Sequence, residues 1–150
     1  MVGGTDRSGL EVLPLAQCLT LLRSRPVGRL AFLEAGGPTV VPVNHLVDGS
    51  TIVLRTQSGG KLDAAMMGAA VAFQLDDHDP VRGTGWSVLV RGRAEIVEDG
   101  ARYADELESW ALGDAVATWI RIVPDEITGR RLRRDAGDPS EEADGPAAHA

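Results

Sequence analysis

The chain has 150 residues, 43% of them hydrophobic, which suits one buried core and is too short for two ordinary domains. Its formal net charge of −7 is unevenly spread: residues 135–150 hold five acids and no Lys or Arg, so the remainder is near neutral and lacks the clustered cations that nucleic-acid binding requires. A single cysteine, Cys18, excludes an internal disulfide and a thiol-rich metal site.

No apolar run approaches the roughly 20 residues of a membrane span, and the N-terminal residues lack the apolar stretch of a signal peptide. The expectation is therefore a cytoplasmic protein with no membrane partner. Residues 1–10 are expected to be a flexible N-terminus and 11–134 a single folded domain. Residues 135–150, acidic and with almost no large apolar side chain, are expected to be a disordered tail.

Apolar residues at 15, 18, 19 and 22 follow Pro14 and predict a helix that Pro26 terminates, with Cys18 as packing. Three β-type runs come next, at 27–33, 39–47 and 51–56. The Asp48-Gly49 pair between the second and third is a hairpin signal, because tight hairpin turns need residues that tolerate positive φ. Pro42 cannot donate to a ladder, so its strand is expected to have an edge or a bulge there.

The segment Arg55-Thr56-Gln57-Ser58-Gly59-Gly60-Lys61 concentrates cations, hydroxyls and glycines where a strand gives way to a short predicted helix at 61–67. Such a junction can hold a phosphate through free N–H groups, hydroxyl donors and charged side chains. It is not a nucleotide-triphosphate loop: Leu62 stands where that motif has Ser or Thr, and Arg55 where it has Gly. Residue types alone also allow a polar turn with two solvated cations.

Strands are predicted at 70–75, ended by a turn through Asp76-Asp77-His78-Asp79-Pro80, and at 86–97, where Gly92 marks a bulge or bend. A charged helix is expected at 101–112 and a last strand at 117–123. In that strand Trp119 and Arg121 share one face and Ile120 and Ile122 the other, so the first pair calls for a ligand or a partner, or else forms an amphipathic surface covering. Six strands joined by tight turns point to a mainly β, antiparallel barrel with a few short helices. No metal site and no Ser–His–Asp arrangement has sequence support.

Several pieces together, Val27-Gly28-Arg29-Leu30-Ala31-Phe32, Pro42-Val43-Asn44-His45, Arg55-Thr56 with Gly60-Lys61-Leu62, Gly85-Trp86-Ser87-Val88, and Trp119-Ile120-Arg121-Ile122 with Thr128-Gly129-Arg130, resemble the short pyridoxamine 5′-phosphate oxidase-like proteins of the flavin-binding split β-barrel superfamily. The resemblance implies a six-stranded antiparallel split barrel that pairs as a homodimer with flavin mononucleotide (FMN) at the subunit interface. By it, Arg55, Thr56, Ser58 and Lys61 would bind the cofactor phosphate, and Pro42, Val43 and Asn44 would run beside the ring. Trp86 and Ser87 would border the ring, and Trp119 and Arg121 would reach the cofactor of the other subunit. His45 stands where relatives usually carry an aromatic residue. The implied activity is a flavin-dependent oxidoreductase acting on a small molecule; the alternative is a non-catalytic carrier of flavin, deazaflavin or haem. Oxidation of pyridoxamine phosphate itself is not expected, because the chain runs from Leu132-Arg133-Arg134 into the acidic segment instead of ending in that enzyme's substrate-binding terminus.

Overall fold

The computed structural model describes residues 4–57, 68–107 and 117–133. Within these, the elements are β1 (Glu11–Leu13), α1 (Leu15–Arg23), β2 (Val27–Glu34), β3 (Gly37–Asp48), β4 (Thr51–Gln57), β5 (Ala70–Asp79), β6 (Thr84–Ile96), a 3₁₀ helix (Gly100–Tyr103) and β7 (Ala117–Leu132). None of the described helices is long and apolar enough to cross a membrane. The helix expected at 61–67 and the segment 135–150 lie outside the described residues.

All pairings are antiparallel, and the order β7-β4-β3-β2-β5-β6 closes on itself because β7 bonds to both β4 and β6. Closure is possible because β7 is long: residues 117–122 pair with β4, and 120–132 pair with β6. This is the expected six-stranded split barrel. A seventh strand, β1, was not foreseen; it adds to the end of β7 through Leu13 and Gly129. Thr5 bridges to Glu11, and the Asp6 carboxylate accepts from Arg130 at 3.0 Å.

Alternation along the strands fills the barrel. Leu30, Ile52, Leu54, Phe73, Val88, Val90, Ile120 and Ile122 are fully buried, and α1 contributes Cys18 and Leu22, also fully buried. Each such aliphatic side chain is worth about 1.5–3 kcal/mol of transfer free energy. Cys18 is thus packing, as expected.

Three expectations are corrected. The Asp76-Asp77-His78-Asp79 run continues β5, pairing with β6 from Thr84 to Ser87, and the turn falls one step later with Gly83 at φ 64°. The charged segment starting at 101 is a 3₁₀ helix followed by turns as far as Leu107, with the rest outside the described residues. The last strand runs to Leu132 instead of stopping at Val123. The bulge signalled by Gly92 is present: Arg91 faces Glu126 and Gly92 faces Pro124, leaving Asp125 as the extra residue on β7. A Cβ at Gly92 would lie 2.1 Å from the Val123 carbonyl oxygen, so only glycine fits.

His45 belongs to the interior. It is 6% exposed, its ring lies 4.7 Å from Phe73, and its Nε2–H donates to the Leu22 carbonyl at 2.7 Å, tying β3 to the end of α1. That bond leaves Nδ1 as a buried lone pair without a partner among the described residues. Burial holds the imidazole pKa below its ordinary 6.5.

Two outcomes follow from this packing. Gly92→Ala should destabilise the fold by about 1–3 kcal/mol or more, read as a lower urea midpoint, because backbone cannot yield as a side chain would. The folded chain holds the His45 proton less tightly than the unfolded chain, which takes one up as pH falls below about 6.5, so stability should decline from that pH downward. In His45→Gln, urea unfolding between pH 8 and pH 5 should show a flatter decline than the wild-type chain.

Candidate functional site

The barrel opens where β3 and β4 part. Their ladder holds only from His45–Leu54 to Asp48–Thr51. Beyond it β3 continues back through Asn44, Val43 and Pro42 with β2 on one side only, and β4 continues through Arg55 and Thr56 beside β7. Pro42 therefore sits on a strand whose β4-facing edge is free, the place where a residue without an N–H costs least.

Register decides which side chains meet there. Leu54 and His45 face inward, so Arg55 and Asn44, the next position on each strand, share the outer face, and Arg55 is directly opposite Trp119 on β7. Asn44, Arg55 and Trp119 thus form a row across three strands at the mouth of the split. Thr56, one residue on, turns to the inner face and is 7% exposed. Three buried polar atoms gather at this mouth with no hydrogen-bond partner among the described residues: Asn44 Oδ1, Arg55 Nε and Thr56 Oγ1. Leaving such atoms unpaired costs about 1–3 kcal/mol each, and a bound polar group would remove that cost. The guanidinium Cζ of Arg55 lies 5.7 Å from the Trp119 ring, and Arg55 has no ion pair among the described residues. An arginine with a buried Nε and no ion pair among the described residues is a ready ligand for an anion on the outer face of the split, while the Thr56 hydroxyl opens to the inner face of the same strand. Ser58 and Lys61, expected to complete the phosphate cradle, lie outside the described residues.

The outer face of β4 and β7 is roofed by the 3₁₀ helix. Gly100 presses on Trp119 so closely that a Cβ would fall 2.0 Å from Trp119 Cγ. Arg121 donates to Thr51 Oγ1 at 2.7 Å and to Tyr103 Oη at 2.6 Å, and pairs with Asp48 at 3.4 Å. The Tyr103 hydroxyl donates to Asp48, and that bond, followed by the charge of Arg121, holds the Asp48 carboxyl below the usual carboxylate range. Trp119 and Arg121, read from sequence as needing a ligand or a partner, are both engaged within their own chain. Tyr103, Gly100 and Asp48 were not foreseen; the signal available was the sole tyrosine of the chain, three residues after a glycine.

Trp86 and Ser87 are elsewhere. Trp86 pairs with Arg131, twelve positions along β7 from Trp119, a path on the order of 40 Å at strand rise. Trp86 lines an open groove of about 480 Å³ with Asp77, His78, Asp79, Arg131 and Arg133. One chain does not bring this groove to the cradle. Arg91 pairs with Glu126 at the surface, and no metal-binding group of His, Cys, Asp or Glu occurs among the described residues.

Residues 14–131 match the family model for pyridoxamine 5′-phosphate oxidase. An uncharacterised protein of Mycobacterium tuberculosis is 38% identical over 145 residues, spanning 90% of this chain and 95% of its own. Among solved structures, the FAD binding protein from Mycobacterium smegmatis is 35% identical with a TM-score of 0.65, covering 83% of this chain and 99% of that one. A conserved protein of unknown function from Corynebacterium diphtheriae is 30% identical with a TM-score of 0.66, covering 81% and 96%. By the extent of that match, and with a barrel closed in the order described, the chain belongs to the pyridoxamine 5′-phosphate oxidase-like family.

Proposed function

We propose that this chain is a flavoprotein that binds FMN at the split of its barrel and supports redox chemistry on a small molecule. The observation carrying the reading is the trio of buried polar atoms on Asn44, Arg55 and Thr56 that have no hydrogen-bond partner among the described residues, beside a free strand edge. They fit a phosphorylated ring cofactor. The Arg55 guanidinium would hold phosphate from the outer face of β4, with Ser58 and Lys61 as donors from the adjoining loop, and Thr56 would offer its hydroxyl from the inner face at the strand's end. The free edge of Pro42, Val43 and Asn44 offers backbone groups to the polar rim of a flat ring. The similar Mycobacterium smegmatis protein is described as FAD-binding, and FAD contains the same ring and first phosphate as FMN.

When bound, the flavin would supply the electron chemistry. The chain's part is to fix the phosphate, shield the ring and hold it in one orientation. A second copy of the chain completes this reading, since Trp86 and Ser87 lie too far along β7 to reach the cradle of their own subunit. A homodimer that sets the Trp86 groove of one subunit against the split of the other would enclose the ring from both sides. Trp119 then serves its own subunit, as the platform behind Arg55.

Titration of the purified protein with FMN, followed by flavin fluorescence, should show saturable binding. Arg55→Ala combined with Lys61→Ala should raise the dissociation constant by about 10–100-fold, the scale of a lost charge-assisted hydrogen bond. Absence of binding by the wild-type chain overturns the reading. Reduction of the bound flavin by nicotinamide cofactors would then separate a redox enzyme from a carrier.

A further inference from the structure

We infer that Tyr103 is a positioning residue for the phosphate cradle, acting on Arg55 through Trp119. The inference rests on the FMN reading of that cradle.

Tyr103 is 7% exposed, and its hydroxyl is used to capacity. It donates to Asp48 Oδ2 at 2.6 Å and accepts from Arg121 Nη2 and from Arg102 Nη2, each at 2.6 Å. A phenol oxygen has one proton and two lone pairs, so no hydrogen-bonding capacity is left over. The anchor is rigid. Asp48 and Thr51 close the β3–β4 hairpin, Thr51 Oγ1 donates to the Asp48 carbonyl at 2.7 Å, and the same hydroxyl receives Arg121. Tyr103 thereby fastens the 3₁₀ helix to the one stretch where β3 and β4 are still paired.

Trp119 is caught between this roof and the cradle. Its ring is 6.1 Å from that of Tyr103, Gly100 lies against its Cγ, and its carbonyl accepts from Val97 N–H at 2.9 Å. The Arg55 guanidinium Cζ lies 5.7 Å from its ring. Arg55 has no ion pair among the described residues to orient it, and a free arginine loses much rotamer entropy when it is ordered. Contact with a fixed indole removes part of that freedom before any anion arrives, which is how preorganisation raises affinity.

Tyr103→Phe keeps the ring and removes the hydroxyl. The dissociation constant for FMN should rise about five- to tenfold, the scale of one net hydrogen bond's effect on order. That for riboflavin, the same ring system without phosphate, should stay within about twofold. In an Arg55→Ala background, Tyr103→Phe should have no further effect on FMN, because the two residues act in series. Equal weakening of both ligands, an unchanged FMN affinity, or a full effect in the Arg55→Ala background would each overturn the inference. If Tyr103→Phe does not fold, Asp48→Asn is read in the same way. A wild-type chain that fails to bind FMN overturns the cofactor reading and this inference together. Wild-type binding with an unaffected Tyr103→Phe overturns this inference alone.

Discussion

The double pairing of β7 is the constraint on which the rest of the molecule depends. One strand of 16 residues gives its first part to β4 and its greater part to β6, so the sheet has no long free edge between them. Because β7 holds β4 firmly on one side, β4 can let go of β3 on the other after four pairs without fraying. The split is therefore a consequence of closure elsewhere. The backbone edge of β3 and the outward face of β4 are exposed at the same point, held apart by hydrogen bonds they do not themselves make.

Polar groups around that split fall into two classes. Asp48, Thr51, Tyr103 and Arg121 hydrogen-bond to one another, and this network fixes the hairpin and its roof. Asn44, Arg55 and Thr56, four or five residues further along the same strands, hold buried atoms without partners among the described residues. A chain that sets a hydrogen-bonded network near such atoms is stiff where it must be fixed and open where something else is to be accommodated. Local stability is sacrificed at the mouth and recovered in the roof and the interior.

Much of this was legible in the sequence. Alternation at 27–33, 39–47 and 51–56, with Asp48-Gly49 between the last two, contained the meander and its tight turn. Pro42 announced a strand with a free side. The cradle was half legible: Arg55 and Thr56 stood out by type, but Asn44 joins them only through a register that no single strand reveals. One run was misread for a physical reason. Asp76 to Asp79 carry turn-forming residues, yet their backbone pairs with β6 while the carboxylates reach outward, Asp76 to Arg29 and Asp77 to Arg25. For Trp119 and Arg121 the sequence left a ligand or partner and a surface covering both open, because the contacts they make in their own chain, with Gly100 and Tyr103, come from a segment whose charge pattern suggested a helix.

The extra residue at Asp125 has an effect on β7 that reaches well past the bulge itself. Before it, even-numbered positions point into the barrel, as buried Ile120 and Ile122 do; after it, odd-numbered positions do, with Ile127 packed on the core and Gly129 against Cys18. One inserted residue inverts the parity of the strand. The two halves of β7 thus obey opposite rules about which side chains see the interior. Evolution can vary the exposed side chain at Asp125 freely, but cannot shorten the strand there without turning its last seven residues inside out.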